Sequence, residues 1–384
     1  MAPSAERATT GEGAAPAVLM LFLEPAPYIV AFVAAARKVW PGRIDVLYAA
    51  TQLSQDWGTR IDEGDVVLPR SQRLALAEIK RRIASRRYAL VHLAGWGHPL
   101  LWRTMLYAAR RVPVTVQSDT PAPRGEPAWK RYIKRAVYGV LFRIPKMFTP
   151  AGTPQADYVR SFGAAPSRIR IAQLTVDVAA IQEFTAKMAS RRTAVRSSMG
   201  LADEDLAILY VGRLEPHKGI DDLIDAFTAL SRQIPSAKLL IAGDGSLRER
   251  VMALAARTHA VHYLGRLAGE AVWEAYGAAD MFVLPSRFEP WGLVVNEAMA
   301  AGLPVVVTDC VGCARDLVRP GVSGLIVPAS APKLLAEAME KLCGDAALRQ
   351  RMADAARQII SGWTLANQAS NTLSAWRQVL SLPN

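Results

Sequence analysis

The stretch ADMFVLPSRFEPWGLVVNEAMAAGLPVVVTD, residues 279–309, holds one complete strand–helix–strand unit. MFVLP (281–285) and PVVVT (304–308) are continuous apolar runs, with no alternation of polar and apolar residues. Such runs are buried on both faces, as in a parallel sheet covered by helices. Between them the loop Arg287–Gly292 returns the chain, and Leu293–Ala301 reads as a helix. Two parallel strands joined through a helix are the repeating unit of a doubly wound α/β domain.

Working outward, the same alternation recurs. The second half adds LAILYVG (206–212), KLLIAG (238–243), VHYLG (261–265) and GLIVP (324–328). The first half offers AVLMLFL (17–23), RIDVLYA (43–49), DVVLP (65–69), ALVHLAG (89–95), VPVTVQS (112–118), KMFTP (146–150) and RIRIAQL (168–174). The pattern predicts an α/β chain of two doubly wound, Rossmann-like domains in series. A length of 384 residues fits two domains. The polar, helical stretch around 175–205 carries no strand and marks the boundary. We expect a disordered arm over 1–15, a first domain over 16–180 and a second over 181–363. Residues 364–384 read as one amphipathic helix with no strand to follow.

Composition narrows the classes. No run of eighteen apolar residues occurs, so no membrane-spanning helix is expected. AAPAVLMLFLE (14–24) is followed by Pro25 rather than a small-residue cleavage site, and reads as a first buried strand rather than a signal peptide. Cys310 and Cys313 have the spacing of half a zinc site, but only Cys343 and five scattered histidines remain as further ligands. They read as small residues in a tight loop, no metal is expected, and the odd count fits a reducing cytoplasm. Residues 1–196 hold 29 Lys and Arg against 14 acids, whereas residues 197–384 hold 17 against 20. The whole basic excess therefore lies in the first half, which suggests an anionic surface or partner there.

Ligands of open α/β sheets sit outside the carboxyl ends of the strands. There the second half carries Gly212-Arg213-Leu214-Glu215-Pro216-His217-Lys218-Gly219, then Gly243-Asp244-Gly245-Ser246, then Gly265-Arg266-Leu267. Arg213 suits a forked contact to two diphosphate oxygens and Lys218 a point charge. The backbone at Gly265 and Arg266 suits the edge of a nucleobase. Gly292 lets a ligand approach the backbone, and the amides near Gly292, Leu293 and Val294 favour an anion at the helix start. Carboxylates repel phosphate but accept hydrogen bonds from hydroxyls. Glu289 and Glu297, on either side of that helix start, therefore suit a ligand with hydroxyls on both sides of a diphosphate, as in a sugar nucleotide. Glu289 is assigned to the sugar and Glu297 to the ribose. Asp203, Glu204 and Asp205, like Asp221 and Asp222, read as solvated charges at helix ends.

These segments resemble the retaining glycosyltransferases of family 4, which have the GT-B fold. The resemblance rests on YVGRLEPHKGIDDLIDAF (210–227), LLIAGDGSLRERV (239–251), VHYLGRL (261–267) and the 279–309 stretch with Glu289 and Glu297 in E-x7-E spacing. It implies that Arg213 and Lys218 neutralise the donor diphosphate, that Glu289 touches the donor sugar, and that the final helix crosses back to the first domain. It implies a UDP- or GDP-sugar donor, no cofactor and front-face departure. In that mechanism the leaving diphosphate accepts the proton of the incoming hydroxyl. The chain departs from the family in three places. LEPAPYIV (23–30) has no glycine where a Gly-rich loop is common, Gln117-Ser118-Asp119-Thr120 replaces a His-Asp pair, and Cys310–Cys313 replaces a Gly-rich loop. Asp119 remains the candidate to position an acceptor hydroxyl.

For the acceptor, residues 80–146 hold 15 Lys and Arg against two acids. AWKRYIKRAVYGVLFRIPKMF (128–148) interleaves Lys130, Arg131, Lys134 and Arg135 with Trp129, Tyr132, Ile133 and Tyr138, the composition of a helix lying on an anionic membrane. No nucleic-acid recognition motif accompanies the charge. Trp96, His98 and Trp102 in GWGHPLLW (95–102) are expected to face the cleft and stack on a sugar. The expected function is sugar transfer to a membrane-associated glycan or lipid-linked acceptor, in the cytoplasm or at the inner face of the plasma membrane. A soluble small-molecule acceptor is the runner-up. A GT-B-type sugar-nucleotide epimerase and an inert binding module are the remaining alternatives.

Overall fold

The computed structural model describes residues 16–51, 59–85 and 87–381. The arm expected over 1–15 lies outside the described residues. The first lobe runs β1 (Val18–Phe22), α1 (Pro27–Val39), β2 (Ile44–Tyr48), β3 (Val66–Val67), α2 (Gln72–Ala84), β4 (Leu90–Ala94), α3 (Pro99–Ala108), β5 (Val114–Ser118), α4 (Ala128–Leu141), β6 (Met147–Pro150) and α5 (Thr153–Ser161). The connection holds α6 (Val178–Met188) and α7 (Arg192–Ser198). The second lobe follows with β7 (Leu206–Val211), α8 (Ile220–Gln233), β8 (Ala237–Ala242), α9 (Arg248–Ala255), β9 (Val261–Gly265), α10 (Glu270–Ala278) and β10 (Met281–Leu284). It ends with α11 (Leu293–Ala300), β11 (Val305–Thr308), α12 (Ala314–Leu317), β12 (Gly324–Val327), α13 (Pro332–Gly344), α14 (Ala346–Ile360) and α15 (Leu365–Leu380).

Each lobe contains one six-stranded, all-parallel sheet. The orders are β3-β2-β1-β4-β5-β6 and β12-β11-β10-β7-β8-β9, the same topology twice. Within each sheet the order reverses beside the first strand, which opens a crevice at the strand carboxyl ends. Continuous burial explains the continuous apolar runs: all five residues of β1 and all four of β10 are buried.

One expected strand is absent. RIRIAQL (168–174) forms only an isolated bridge, Ile169 to Phe148. Its amides donate to β6 and just beyond, Arg170 to Phe148 O at 3.0 Å and Ala172 to Pro150 O at 2.8 Å. The segment then turns at Gln173, whose φ of 64° lies in the left-handed region and ends any extended run. Here the chain crosses to the second lobe, and from Leu174 onward its apolar residues join the second lobe's core.

The last helix crosses back. Ala369, Leu373 and Trp376 of α15 are buried in the first lobe's core against α1 and β2. Trp376 sits edge-on to Trp40 at 5.6 Å, and its Nε1 donates to His92 Nδ1 at 3.3 Å. Burial pushes the His92 imidazole down to about 4, so it stays neutral at ordinary pH.

Candidate functional site

The site is assembled at the carboxyl ends of β7 to β10. The Gly212 amide donates to Ala242 O at 3.0 Å and the Gly243 amide to Gly265 O at 2.8 Å, which sets Gly212, Gly243 and Gly265 side by side along one crest. Arg213 and Arg266 are exposed on it. Glu215 reaches the neighbouring loop, accepting from Ser246 N at 3.2 Å and Ser246 Oγ at 2.7 Å. The loop of residues 286–292 is stitched to the same crest, since Arg287 N donates to His217 O at 2.8 Å. The Arg287 guanidinium forks onto Asp222 at 2.8 and 2.9 Å. Asp222 is therefore a buried brace and not a solvated helix-end charge. Asp205 is likewise buried, where it accepts from Ala202 N at 2.8 Å and helps hold the start of β7.

Lys218 leaves a single turn of 3-10 helix, Pro216–Lys218, and meets Glu289. Its Nζ lies 2.5 Å from Glu289 Oε2, and both side chains are only 12% exposed. Burial first, then the charges of Lys218 and Arg213, hold the neighbouring His217 imidazole below its usual range. Glu289 is braced from behind by the cysteine loop. Its amide donates to Cys310 O at 3.3 Å, Gly312 N donates to Glu289 O at 2.9 Å, and Cys313 N donates to Trp291 O at 2.8 Å. Gly312 permits that approach, because a Cβ there would lie 2.0 Å from Pro290 O. All three cysteines are free, and the buried Cys313 thiol donates to Gly292 O at 3.7 Å.

Gly292 caps α11 with φ of +97°, a conformation that glycine adopts without Cβ strain. Leu293 and Val294 open the helix, where amides lack intrahelical partners. One turn in, Glu297 accepts from Tyr276 Oη of α10 at 2.8 Å. Burial pushes its carboxyl up to about 7, against the opposing pull of that hydrogen bond. The two glutamates are thus different groups, one paired with a cation and the other held by a phenol.

Across the cleft, Asp119 follows β5. It is open to cleft solvent, yet the surrounding protein displaces enough water to raise its carboxyl, and the charge of Glu289 adds to this. Tyr28, at the start of α1, packs against the cores of both lobes. Its phenol is raised by burial first and then by the charges of Asp119 and Glu24. LEPAPYIV thus supplies a ring to the cleft where a Gly-rich turn was the comparison.

Of the three aromatic candidates for acceptor stacking, the two tryptophans are committed to packing within the first lobe. Trp96 is buried in the first core, 4.8 Å from Phe142 and 6.4 Å from Phe148. His98 caps α3, its Nδ1 accepting from Leu100 N at 3.2 Å. Trp102 stacks on Tyr138 of α4 at 6.1 Å. The space between α3, α4 and β6 needs filling, and the two tryptophan rings fill it. Two interlobe contacts were not legible in the sequence. Thr153 donates to Asp316 through both its amide, at 2.9 Å, and its hydroxyl, at 2.5 Å, and Arg124 binds Asp309 at 2.7 Å.

The outer face of the first lobe is unusual. α4 buries none of its residues, and Trp129, Tyr132, Ile133, Val137 and Val140 are all exposed, Tyr132 by 77%. Lys130, Arg131 and Arg135 are exposed beside them, while Lys134 pairs with Glu126. Among the described residues no helix is long and apolar enough to cross a membrane.

Residues 191–359 match the family model described as Glycosyl transferases group 1. An uncharacterized glycosyltransferase of Methanocaldococcus jannaschii is 34% identical over 186 residues, 47% of each chain. The alpha-D-kanosaminyltransferase of Streptomyces kanamyceticus is 33% identical over 168 residues, 43% of each chain. A D-inositol 3-phosphate glycosyltransferase of Salinispora arenicola is 27% identical over 297 residues, covering 74% of this chain and 64% of its own. The chain thus spans about half the length of the curated relatives it matches. Among solved structures, Anabaena HepE in complex with UDP aligns at a TM-score of 0.72 and 19% identity, over 93% of this chain and 99% of that one. The sucrose-phosphate synthase of Thermosynechococcus elongatus aligns at 0.74 and 20% identity, over 95% and 99%. The fold is that of the GT-B glycosyltransferases, and the matched model together with these neighbours supports a GT-B glycosyltransferase.

Proposed function

We propose that this protein transfers a sugar, with retention of configuration, from a nucleotide diphosphate sugar to a hydroxyl of a membrane-associated glycan or lipid-linked acceptor. The observation that carries the reading is the convergence of Arg213, Lys218, Glu289, Glu297 and the start of α11 on one crest. Arg213 and Lys218 stabilise the charge that develops on the leaving diphosphate, and the amides opening α11 add to it. Glu289 accepts from sugar hydroxyls and Glu297 from the ribose. Asp119 orients the acceptor hydroxyl, whose proton passes to the departing diphosphate oxygen. Every charge in this scheme is met by a protein group, so no metal is assigned a part in it. Structures of similar fold hold UDP and UDP-glucose, which favours a uridine donor.

The exposed aromatic and basic face of α4 supports a cytoplasmic enzyme seated on an anionic membrane, serving glycolipid or polysaccharide synthesis. The name of the D-inositol 3-phosphate glycosyltransferases favours a second reading, a soluble small-molecule acceptor such as a polyol phosphate. A panel of UDP-, GDP- and ADP-sugars tests the donor, read as thermal stabilisation and slow donor hydrolysis. One nucleotide should raise the melting temperature and lose its sugar. Silence across the panel overturns the donor site.

A further inference from the structure

Lys218 is the cation assigned to the diphosphate, yet in this structure it is already engaged. Its ammonium lies 2.5 Å from Glu289, and both side chains are nearly withdrawn from solvent. Arg213, the other assigned cation, is exposed. Of the two cations assigned to the diphosphate, one is open and the other is covered by the carboxylate meant for the sugar. A carboxylate on Lys218 opposes an incoming phosphate twice: it occupies the ammonium, and it repels the anion.

The backbone of Glu289 is held in place: its amide donates to Cys310 O, its carbonyl accepts from Gly312 N, and Gly312 packs closely on Pro290 O. The side chain is its only movable part. When a diphosphate takes Lys218, the Glu289 carboxylate loses its partner and its lone pairs turn outward. A buried carboxylate without a partner is costly, and sugar hydroxyls are suitable replacements.

We propose that the Lys218–Glu289 pair is a ligand-operated gate, in which the donor's diphosphate releases Glu289 for the sugar. The inference rests on the donor-site reading above. It assigns each half of the donor a different task. The diphosphate alone must break the pair and gains nothing at Glu289. A nucleotide sugar breaks it and satisfies the released carboxylate with its own hydroxyls. The gate thus disfavours free nucleoside diphosphate, the product, relative to the sugar-bearing donor. Glu289 here is a specificity-determining residue as well as a sugar contact.

The test is calorimetric titration of the whole chain with UDP, and with GDP and ADP in parallel, using UMP as the ligand without a second phosphate. Glu289→Gln should tighten UDP by about tenfold, since it replaces the charged partner of Lys218 with a weaker, neutral acceptor and removes a repelling charge. UMP should change little. In a Lys218→Ala background the same substitution should lose most of its effect on UDP. UDP-glucose should move the other way from UDP in Glu289→Gln, because a neutral amide with one acceptor oxygen replaces a charged carboxylate with two. Unchanged or weakened UDP binding in Glu289→Gln, with the parent binding UDP normally, overturns the gate and leaves the donor site standing. Equal tightening of UDP in the Lys218→Ala background also overturns it, since simple charge removal then suffices. A parent that binds none of the three diphosphates removes the donor site, and the gate with it. Circular dichroism of each variant excludes unfolding as the cause of a lost signal.

Discussion

The two lobes have the same sheet, strand for strand, and almost nothing else in common. In the second lobe the crest is crowded. Glycines abut carbonyls, Glu215 spans two loops, and each glutamate has an engaged partner. In the first lobe the crest is sparse, with Asp119 open to solvent and Tyr28 beside it, while the distinctive chemistry lies on the outer face at α4. The scaffold therefore does not dictate the task. Identical topology hosts a crest of closely packed, hydrogen-bonded and charged groups in one copy and a cleft wall with a charged exterior in the other.

That contrast breaks most decisively at α4. Reversing Lys130, Arg131, Lys134 and Arg135 to glutamate should abolish binding to anionic vesicles, at about 1 kcal/mol or more for each position. Nucleotide affinity should not change, because the crest belongs to the other lobe. Lys134 should contribute least, since Glu126 already neutralises it. Vesicle co-sedimentation at low and high salt checks this, and a parent that ignores anionic vesicles shifts the acceptor reading to a soluble molecule.

The lobes should also respond to pH in opposite senses. His92 is depressed in the folded state, so its contribution is present above its ordinary value near 6.5 and is lost as pH falls toward 4. Glu297 is raised, so its contribution is present below its ordinary value near 4.5 and is lost as pH rises toward 7. Each shift corresponds to roughly 3 kcal/mol at the extremes. Hydrogen exchange resolved by lobe should show the first lobe loosening as pH falls from about 6.5 to 4 and the second loosening as pH rises from about 4.5 to 7, and Glu297→Gln should remove the second slope alone.

Arg213→Ala and Lys218→Ala should each weaken nucleoside diphosphate by roughly 1.5–3 kcal/mol without unfolding the chain. Calorimetry reads it, and unchanged affinity in both would return the anion site to an ordinary solvated loop. The smallest effect is expected at Arg124→Ala. Its pair with Asp309 is exposed, so the melting temperature should fall by no more than about 1 kcal/mol implies. Asp316→Ala should cost more, because it removes two hydrogen bonds that join the lobes.

The sequence was most legible where one residue type has one use. Continuous apolar runs located all six strands of the second sheet, because a strand buried on both faces admits little else. RIRIAQL misled because an apolar alternation resembles a strand whether or not a partner edge accepts it, and Gln173 bends the chain away. Trp96 and Trp102 misled for a related reason. An aromatic residue just after a strand can face a ligand or fill a core, and only the size of the neighbouring gap decides. Asp222 read as solvated because Arg287, which buries it, lies far along the chain. Tyr276 was invisible as a partner of Glu297 on the same ground, since helix-to-helix contacts have no local spelling.

The return of α15 bears on how the molecule is made. Trp376 completes the packing around Trp40 and His92, yet it is synthesised more than two hundred residues after the last strand of its own lobe. At ordinary elongation rates the ribosome needs on the order of tens of seconds to cover that distance. Through that interval the nascent first lobe presents an open apolar groove where the helix will lie. The second lobe, whose core needs nothing from α15, is free to fold first. Vectorial synthesis thus leaves the earlier lobe waiting on the later one, and a chain truncated before Leu365 would expose that groove to whatever chaperone or neighbour reaches it.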